Sequence, residues 1–209
     1  MELNTEELNL QVHNLPAVVL LECTVPPKLV DNLNTYLDEY RETAEKKSLA
    51  HTLVGQIHQG EQLLMDHKHE LLRDYYTFLT SMGVAYLQAF GNITGHYHQN
   101  RMVDIDELWS VHSYEGDYNP IHDHGTKTIM GISTTTWTKV PEQIGKKGNA
   151  QQNPKEFSLY NDSGACDGFL AFTYGRNEIM NTEKLRPPQS ISLQPMVGRQ
   201  LMFPSWMQH

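Results

Sequence analysis

Cysteine is nearly missing from this chain. Its two cysteines among 209 residues, Cys23 and Cys166, lie far apart and in no CxxC or Cys/His spacing. That argues against a disulfide framework and a structural zinc site, and leaves two reduced thiols as the expectation. Long hydrophobic runs are also missing: no stretch approaches the roughly 18 apolar residues of a membrane span, so no membrane partner is expected. Cations are scarce, with 16 Lys and Arg against 25 Asp and Glu and a formal charge of -9. Sequence-independent nucleic-acid binding needs clustered cations to neutralise phosphates, and Lys146-Lys147 is too short a run to supply them. Nucleic acid is therefore not an expected partner. The opening residues, Met1-Glu2-Leu3-Asn4-Thr5-Glu6-Glu7, are acidic and lack the basic and apolar regions of a secretory signal, which makes a cytoplasmic setting the default expectation.

What is present suits one folded domain. Hydrophobic residues make up 39% of the chain and charged residues 20%, enough to bury a sizeable core, and the length falls within the range of single all-β barrels and sandwiches. An apolar, strand-like run at 17–21 precedes Pro26-Pro27. The apolar residues Leu29, Leu33, Tyr36, Leu37 and Tyr40 then predict a helix that ends near 46–48. Residues 49–64, punctuated by Gly55 and Gly60, are ambiguous. Leu71, Leu72, Tyr75, Phe78, Leu79, Met82, Tyr86 and Leu87 form one apolar stripe and predict a second helix over 66–89.

After Gly91 the texture changes to short apolar or β-branched runs between Gly, Pro, Asn and Asp clusters, as in an antiparallel sheet. Strands are predicted at 107–114, 126–139, 168–172, 190–193 and 199–203. The fold class expected is α+β and mainly β, with a helical support region at 1–90 and a β core at 91–209. The polar stretch 141–164 reads as a long loop or hairpin excursion.

Histidine is plentiful, at eleven. His67 and His69 fall within the predicted second helix, where residues i and i+2 point apart. His96 and His98 have HxH spacing in a Gly-rich approach to the sheet. His122 and His124 are better placed. The turn Glu115-Gly116-Asp117-Tyr118-Asn119-Pro120 delivers the chain to them from a predicted strand. On an extended backbone both imidazoles share a face while Asp123 points away. His209, about eighty residues on, is a candidate third ligand that would leave one side of an octahedral ion open. Asp123 is the competing ligand if the segment twists.

From Trp109 onward the chain resembles the iron(II)/2-oxoglutarate-dependent oxygenases. The resemblance is to a group whose pattern runs W, Y, G-D-Y-N and H-x-H and ends F-P-S-W-x-x-H. Trp109, Gly116, Asp117, Tyr118, Asn119, His122, His124, Gly131, Pro141, Gly168, Phe203, Pro204, Ser205, Trp206 and His209 stand at matching positions, and the likeness covers about half of the chain. It implies a double-stranded β-helix (jelly-roll, cupin-like) core and a mononuclear Fe(II) held by His122, His124 and His209. His124 stands where most such oxygenases carry a carboxylate.

The resemblance also implies a cation, on a strand after the distal histidine, for the far carboxylate of 2-oxoglutarate. The sequence stops at His209, so Lys139, Arg176 and Arg199 are candidates to replace it. Tyr114 and Tyr118 are candidates to hydrogen-bond cosubstrate or substrate. His112 shares a strand face with Ser110 and Tyr114 and is a candidate neighbour of the ligands. Trp206 is expected to pack on the core beside His209. Thr126, Thr128, Ser133 and Thr134 to Thr136 read as ordinary strand residues without a catalytic hydroxyl.

The implied activity is oxidative decarboxylation of 2-oxoglutarate to succinate, coupled to C–H hydroxylation of a small-molecule or protein substrate. One alternative is a three-histidine, cupin-like dioxygenase or zinc hydrolase that uses no 2-oxoglutarate. Another is a non-catalytic jelly-roll that forms a homodimer through an open sheet edge.

Overall fold

The two long helices begin and end where local chemistry requires. In the computed structural model α1 (Pro27–Glu42) starts on the proline pair and buries Val30, Leu33, Tyr36 and Leu37 along one face. Helix α2 (Arg73–Thr94) closes on Gly95, whose φ of 74° is the left-handed conformation that glycine adopts most readily. It begins later than the expected residue 66. His69 Nδ1 accepts from the Leu71 amide and caps a 3₁₀ turn, Glu70–Leu72, ahead of the helix. His67 and His69 therefore lie outside α2, where the His67 ring stacks on Tyr76 and the His69 ring meets Tyr36.

The structure describes residues 19–49, 60–95, 97, 102–117, 119–125, 131–145, 168–174 and 189–209. His96, His98, Tyr118, Arg176 and most of 141–164 lie outside them. Among the described residues eight short strands form three small antiparallel sheets. They are β1 (Leu21–Thr24), β2 (Lys47–Ser48), β3 (Glu61–Leu64), β4 (Trp109–His112), β5 (Ile132–Thr136), β6 (Leu170–Tyr174), β7 (Gln189–Leu193) and β8 (Arg199–Pro204). The sheet orders are β1-β8-β5, β2-β3-β4 and β6-β7. A four-residue helix, α3 (Glu142–Gly145), opens the polar stretch after β5.

Two pairings cross the sequence division at residue 90. Strand β1 aligns Leu21 with Met202 of β8, and β3 aligns Gln62 with Val111 of β4. The first ninety residues thus supply strands as well as helices, and two of the three sheets are completed by them.

Strand β8 is the centre of this organisation and is buried along most of its length. Leu201 and Phe203 face Phe172, Leu193 and Met207, while Met202 on the opposite face meets Val19 and Tyr86. Gln200 shares the face of Met202, where Tyr75 donates to Thr136 Oγ1 and Thr136 donates to Gln200 Oε1. Burial pushes the Tyr75 phenol up to about 12, so it stays protonated as a donor. A strand covered on both faces reads as a continuous apolar run, which Leu201-Met202-Phe203 supplies. Among the described residues no helix is long and apolar enough to cross a membrane.

Candidate metal centre

Strand β8 runs into the segment that carries His209. After Pro204 the chain makes a tight turn, closed by the Met207 amide on the Pro204 carbonyl at 2.9 Å, and Gln208 then bridges to Thr173 of β6. His209 exchanges both backbone hydrogen bonds with His122, at 3.0 and 2.9 Å, and the His124 amide donates to the Ser205 carbonyl at 3.0 Å. The two histidine-bearing segments, separated by some eighty residues of chain, are thereby stitched together through main-chain groups.

This stitching brings one ring nitrogen from each of His122, His124 and His209 within 4.8 Å of the others. The ring centroids are 5.4, 4.7 and 4.8 Å apart. Every Nδ1 is engaged. That of His122 lies 2.8 Å from the Pro120 carbonyl, that of His209 lies 2.8 Å from the Met207 carbonyl, and that of His124 lies 2.9 Å from Ser133 Oγ. A carbonyl can only accept, so the Nδ1 of His122 and His209 carry the proton and Nε2 is the free lone pair. Metal-bound histidines show this same arrangement of one engaged and one ligating nitrogen. The donor chemistry therefore fits a metal ion bound by three neutral imidazoles.

The surroundings of His124 and His209 favour their neutral form. The Trp109 ring meets His124 edge-on at 5.2 Å, and His209 lies against it at 4.8 Å. His124 is exposed as a whole residue, yet enclosure of its ring pulls its pKa down to about 4. Positive charge on His209 or His122 would add to the effect, and Asp123 opposes it. Burial also lowers His209, against the opposing effect of its bond to the Met207 carbonyl. His209 packs at 4.8 Å on Phe203 and at 5.9 Å on Phe172, both fully buried. Asp123 stays out of the cluster: its Oδ1 accepts from the Gly125 amide at 2.9 Å in a local turn, and Gly125 has a φ of 57°.

The other anticipated residues sit elsewhere. Lys139 Nζ pairs with Asp38 on α1 at 2.5 Å. Arg199 donates to Glu22 and to the Gln194 carbonyl, both at 2.8 Å, from the end of β8 remote from the turn. Tyr114 accepts from Arg41 Nη2 at 3.0 Å, and its amide donates to Asp117. None of these partners is one of the three histidines. His112 hydrogen-bonds Ser110 and aligns with Glu61 of β3, whereas Trp109 is the β4 residue that reaches His124.

Trp206 does not pack on the core. It is 56% exposed, because the turn at 204–207 rotates Met207 inward to 2% exposure in its place. Ser133, expected to be an ordinary strand residue, and Ser205, a position of the resemblance with no role assigned, lie behind the histidines. Both are buried, and nothing in the local sequence pattern distinguishes a serine behind a histidine ring from any other.

Comparison with known families agrees with this geometry. Residues 107–209, which span all three histidines, match a family model described as "Putative 2OG-Fe(II) oxygenase". This part of the chain belongs to the 2OG-Fe(II) oxygenase superfamily. The oxygenase region starts just ahead of β4 and runs through β8 to His209, so β1, β3 and both long helices lie outside it although they pair or pack with it. Family membership implies iron(II) and 2-oxoglutarate as cofactors and an oxidoreductase class of chemistry. No curated protein matches the chain.

Proposed function

We propose that this protein is an iron(II)/2-oxoglutarate-dependent hydroxylase built on a double-stranded β-helix, with His122, His124 and His209 as the metal ligands. One observation carries the reading: three imidazoles converge with every Nδ1 engaged behind them, within a region that matches the oxygenase family. Bound iron(II) would supply oxygen activation coupled to the decarboxylation of 2-oxoglutarate and the hydroxylation of a C–H bond in a small-molecule or protein substrate.

The protein's own residues contribute orientation and exclusion of water. The Pro120 and Met207 carbonyls hold two imidazoles by their Nδ1–H groups, and Phe203 and Phe172 keep the inner side of His209 dry. Trp109 covers one edge of His124. Three neutral ligands leave both charges of a divalent ion uncompensated, which favours a dianionic co-ligand such as 2-oxoglutarate more strongly than a site containing a carboxylate would.

The all-imidazole donor set also favours a second reading, a three-histidine dioxygenase that uses no 2-oxoglutarate. The pairing of Lys139 with Asp38 and of Arg199 with Glu22 adds to it. Anaerobic titration with iron(II), followed by 2-oxoglutarate, separates the two. A weak visible charge-transfer band on adding 2-oxoglutarate, lost in His122→Ala, is the expected result. Tight iron binding without the band would favour the second reading, and absence of iron binding would overturn both.

A further inference from the structure

The three histidines are not held alike. His122 and His209 rest on backbone carbonyls, which fix the proton on Nδ1 because a carbonyl has none to give. His124 rests on a hydroxyl, and a hydroxyl can either donate or accept. If Ser133 donated to His124 Nδ1, the imidazole proton would move to Nε2 and the third ligand position would be blocked.

A second serine offers Ser133 an acceptor. Ser133 Oγ lies 3.0 Å from Ser205 Oγ and 2.9 Å from His124 Nδ1; with its proton given to Ser205, the Ser133 oxygen is left to accept from His124 Nδ1. Both serines are buried, at 7% and 6% exposure, so water does not compete for these bonds. Ser205 is itself fixed by its amide on the Gly131 carbonyl, and its own carbonyl holds the His124 amide, each at 3.0 Å. Ser133 is aligned with Phe203, the residue on which His209 packs.

We propose that Ser133, oriented by Ser205, is the positioning residue that sets His124 in the Nδ1–H tautomer and thereby makes Nε2 available to a metal. The inference rests on the three-histidine reading above. It makes His124 the one ligand whose competence depends on side-chain hydroxyls, and it ties that ligand to the strand end that leads to His209.

NMR of the metal-free, histidine-labelled full-length protein tests this directly, with His124 assigned by comparison with His124→Ala. The wild type should show His124 as the Nδ1–H tautomer. Ser133→Ala should move His124 toward Nε2–H and leave His122 and His209 unchanged. Affinity for cobalt(II), used as a redox-stable probe, should fall roughly 10- to 100-fold, the usual consequence of losing a partner behind a metal-binding histidine. Ser133→Thr, which keeps the hydroxyl, should restore both readouts.

Ser205→Ala frees the Ser133 proton and should give a mixture of tautomers, and it decides the matter if Ser133→Ala does not fold. An unchanged His124 tautomer in the folded serine variants, or a wild-type His124 already protonated on Nε2, would overturn the proposal. Wild-type protein with the expected tautomers that bound no cobalt would instead overturn the metal-site reading and leave the hydrogen-bond assignment standing.

Discussion

A histidine that is to bind a metal must reach it unprotonated, and the enclosure of His124 has a measurable consequence before any metal is added. Its pKa falls from an ordinary 6.5 to about 4 in the folded state, so between those values the unfolded chain binds more protons than the native one. Stability from this group is complete above about pH 6.5 and is lost as the pH falls toward 4. His209 and His112, also lowered by burial, act with the same sign. The Tm of metal-free protein should fall progressively from pH 7 to pH 4.5, and His124→Ala should flatten that slope. An equal slope in both proteins would refute the assignment. Replacing any one of His122, His124 or His209 by Ala should weaken cobalt(II) binding by at least about a hundredfold, more than loss of a partner behind a ligand does. Asp123→Ala should leave that affinity close to wild type, because its carboxylate is committed to the Gly125 amide.

Among the elements, β8 concentrates the energetics. Phe203 is fully buried between Phe172 and His209, so Phe203→Ala should cost about 3–5 kcal/mol and loosen the seat of His209 at the same time. Denaturant unfolding measures the first effect and metal titration the second. The turn entering β8 depends on Gly198. Its φ is 82°, its amide donates to the Trp137 carbonyl, and its carbonyl accepts from the Val25 amide. An added Cβ would meet the Val25 carbonyl at 3.5 Å and the Val30 and Thr24 methyls at 3.8 and 3.9 Å, all ordinary contacts, so the cost of Gly198→Ala is backbone strain, not collision. Roughly 1–2 kcal/mol is expected, read as a lower Tm with metal affinity retained, since the turn lies at the end of β8 away from the histidines.

For the molecule as a whole, the oxygenase region is completed by residues that precede it. Strand β1 covers one side of β8, β3 pairs with β4, and α2 supplies Tyr75, Met82 and Tyr86 behind β8. A fragment of residues 91–209 would expose the β8 edge that pairs with β1, leave β4 without its partner β3 and bare the apolar back of β8, conditions that favour aggregation over a unique fold. It should show poor amide dispersion by NMR and no defined metal stoichiometry, in contrast to the full chain. A well-dispersed spectrum from the fragment would show that the first ninety residues are dispensable.

Local pattern determined much of this protein before any tertiary contact formed. The i, i+2 spacing of His122 and His124 on extended backbone, the apolar stripe from Leu71 to Tyr86 and the Leu201-Met202-Phe203 run are legible in sequence because periodicity follows from backbone geometry alone. The start of α2 was not legible, because capping by His69 is a hydrogen-bond choice that periodicity does not encode. Neither was the inward turn of Met207 in place of Trp206, which depends on a single turn hydrogen bond. The placement of Lys139 and Arg199 against Asp38 and Glu22 depends on strand register and helix packing across more than a hundred residues. The same holds for Ser133 and Ser205. A serine in a strand acquires a role only when pairing of β5 with β8 and docking of the histidine segment place its hydroxyl behind a ring, and that distance of 2.9 Å is a property of the assembled fold.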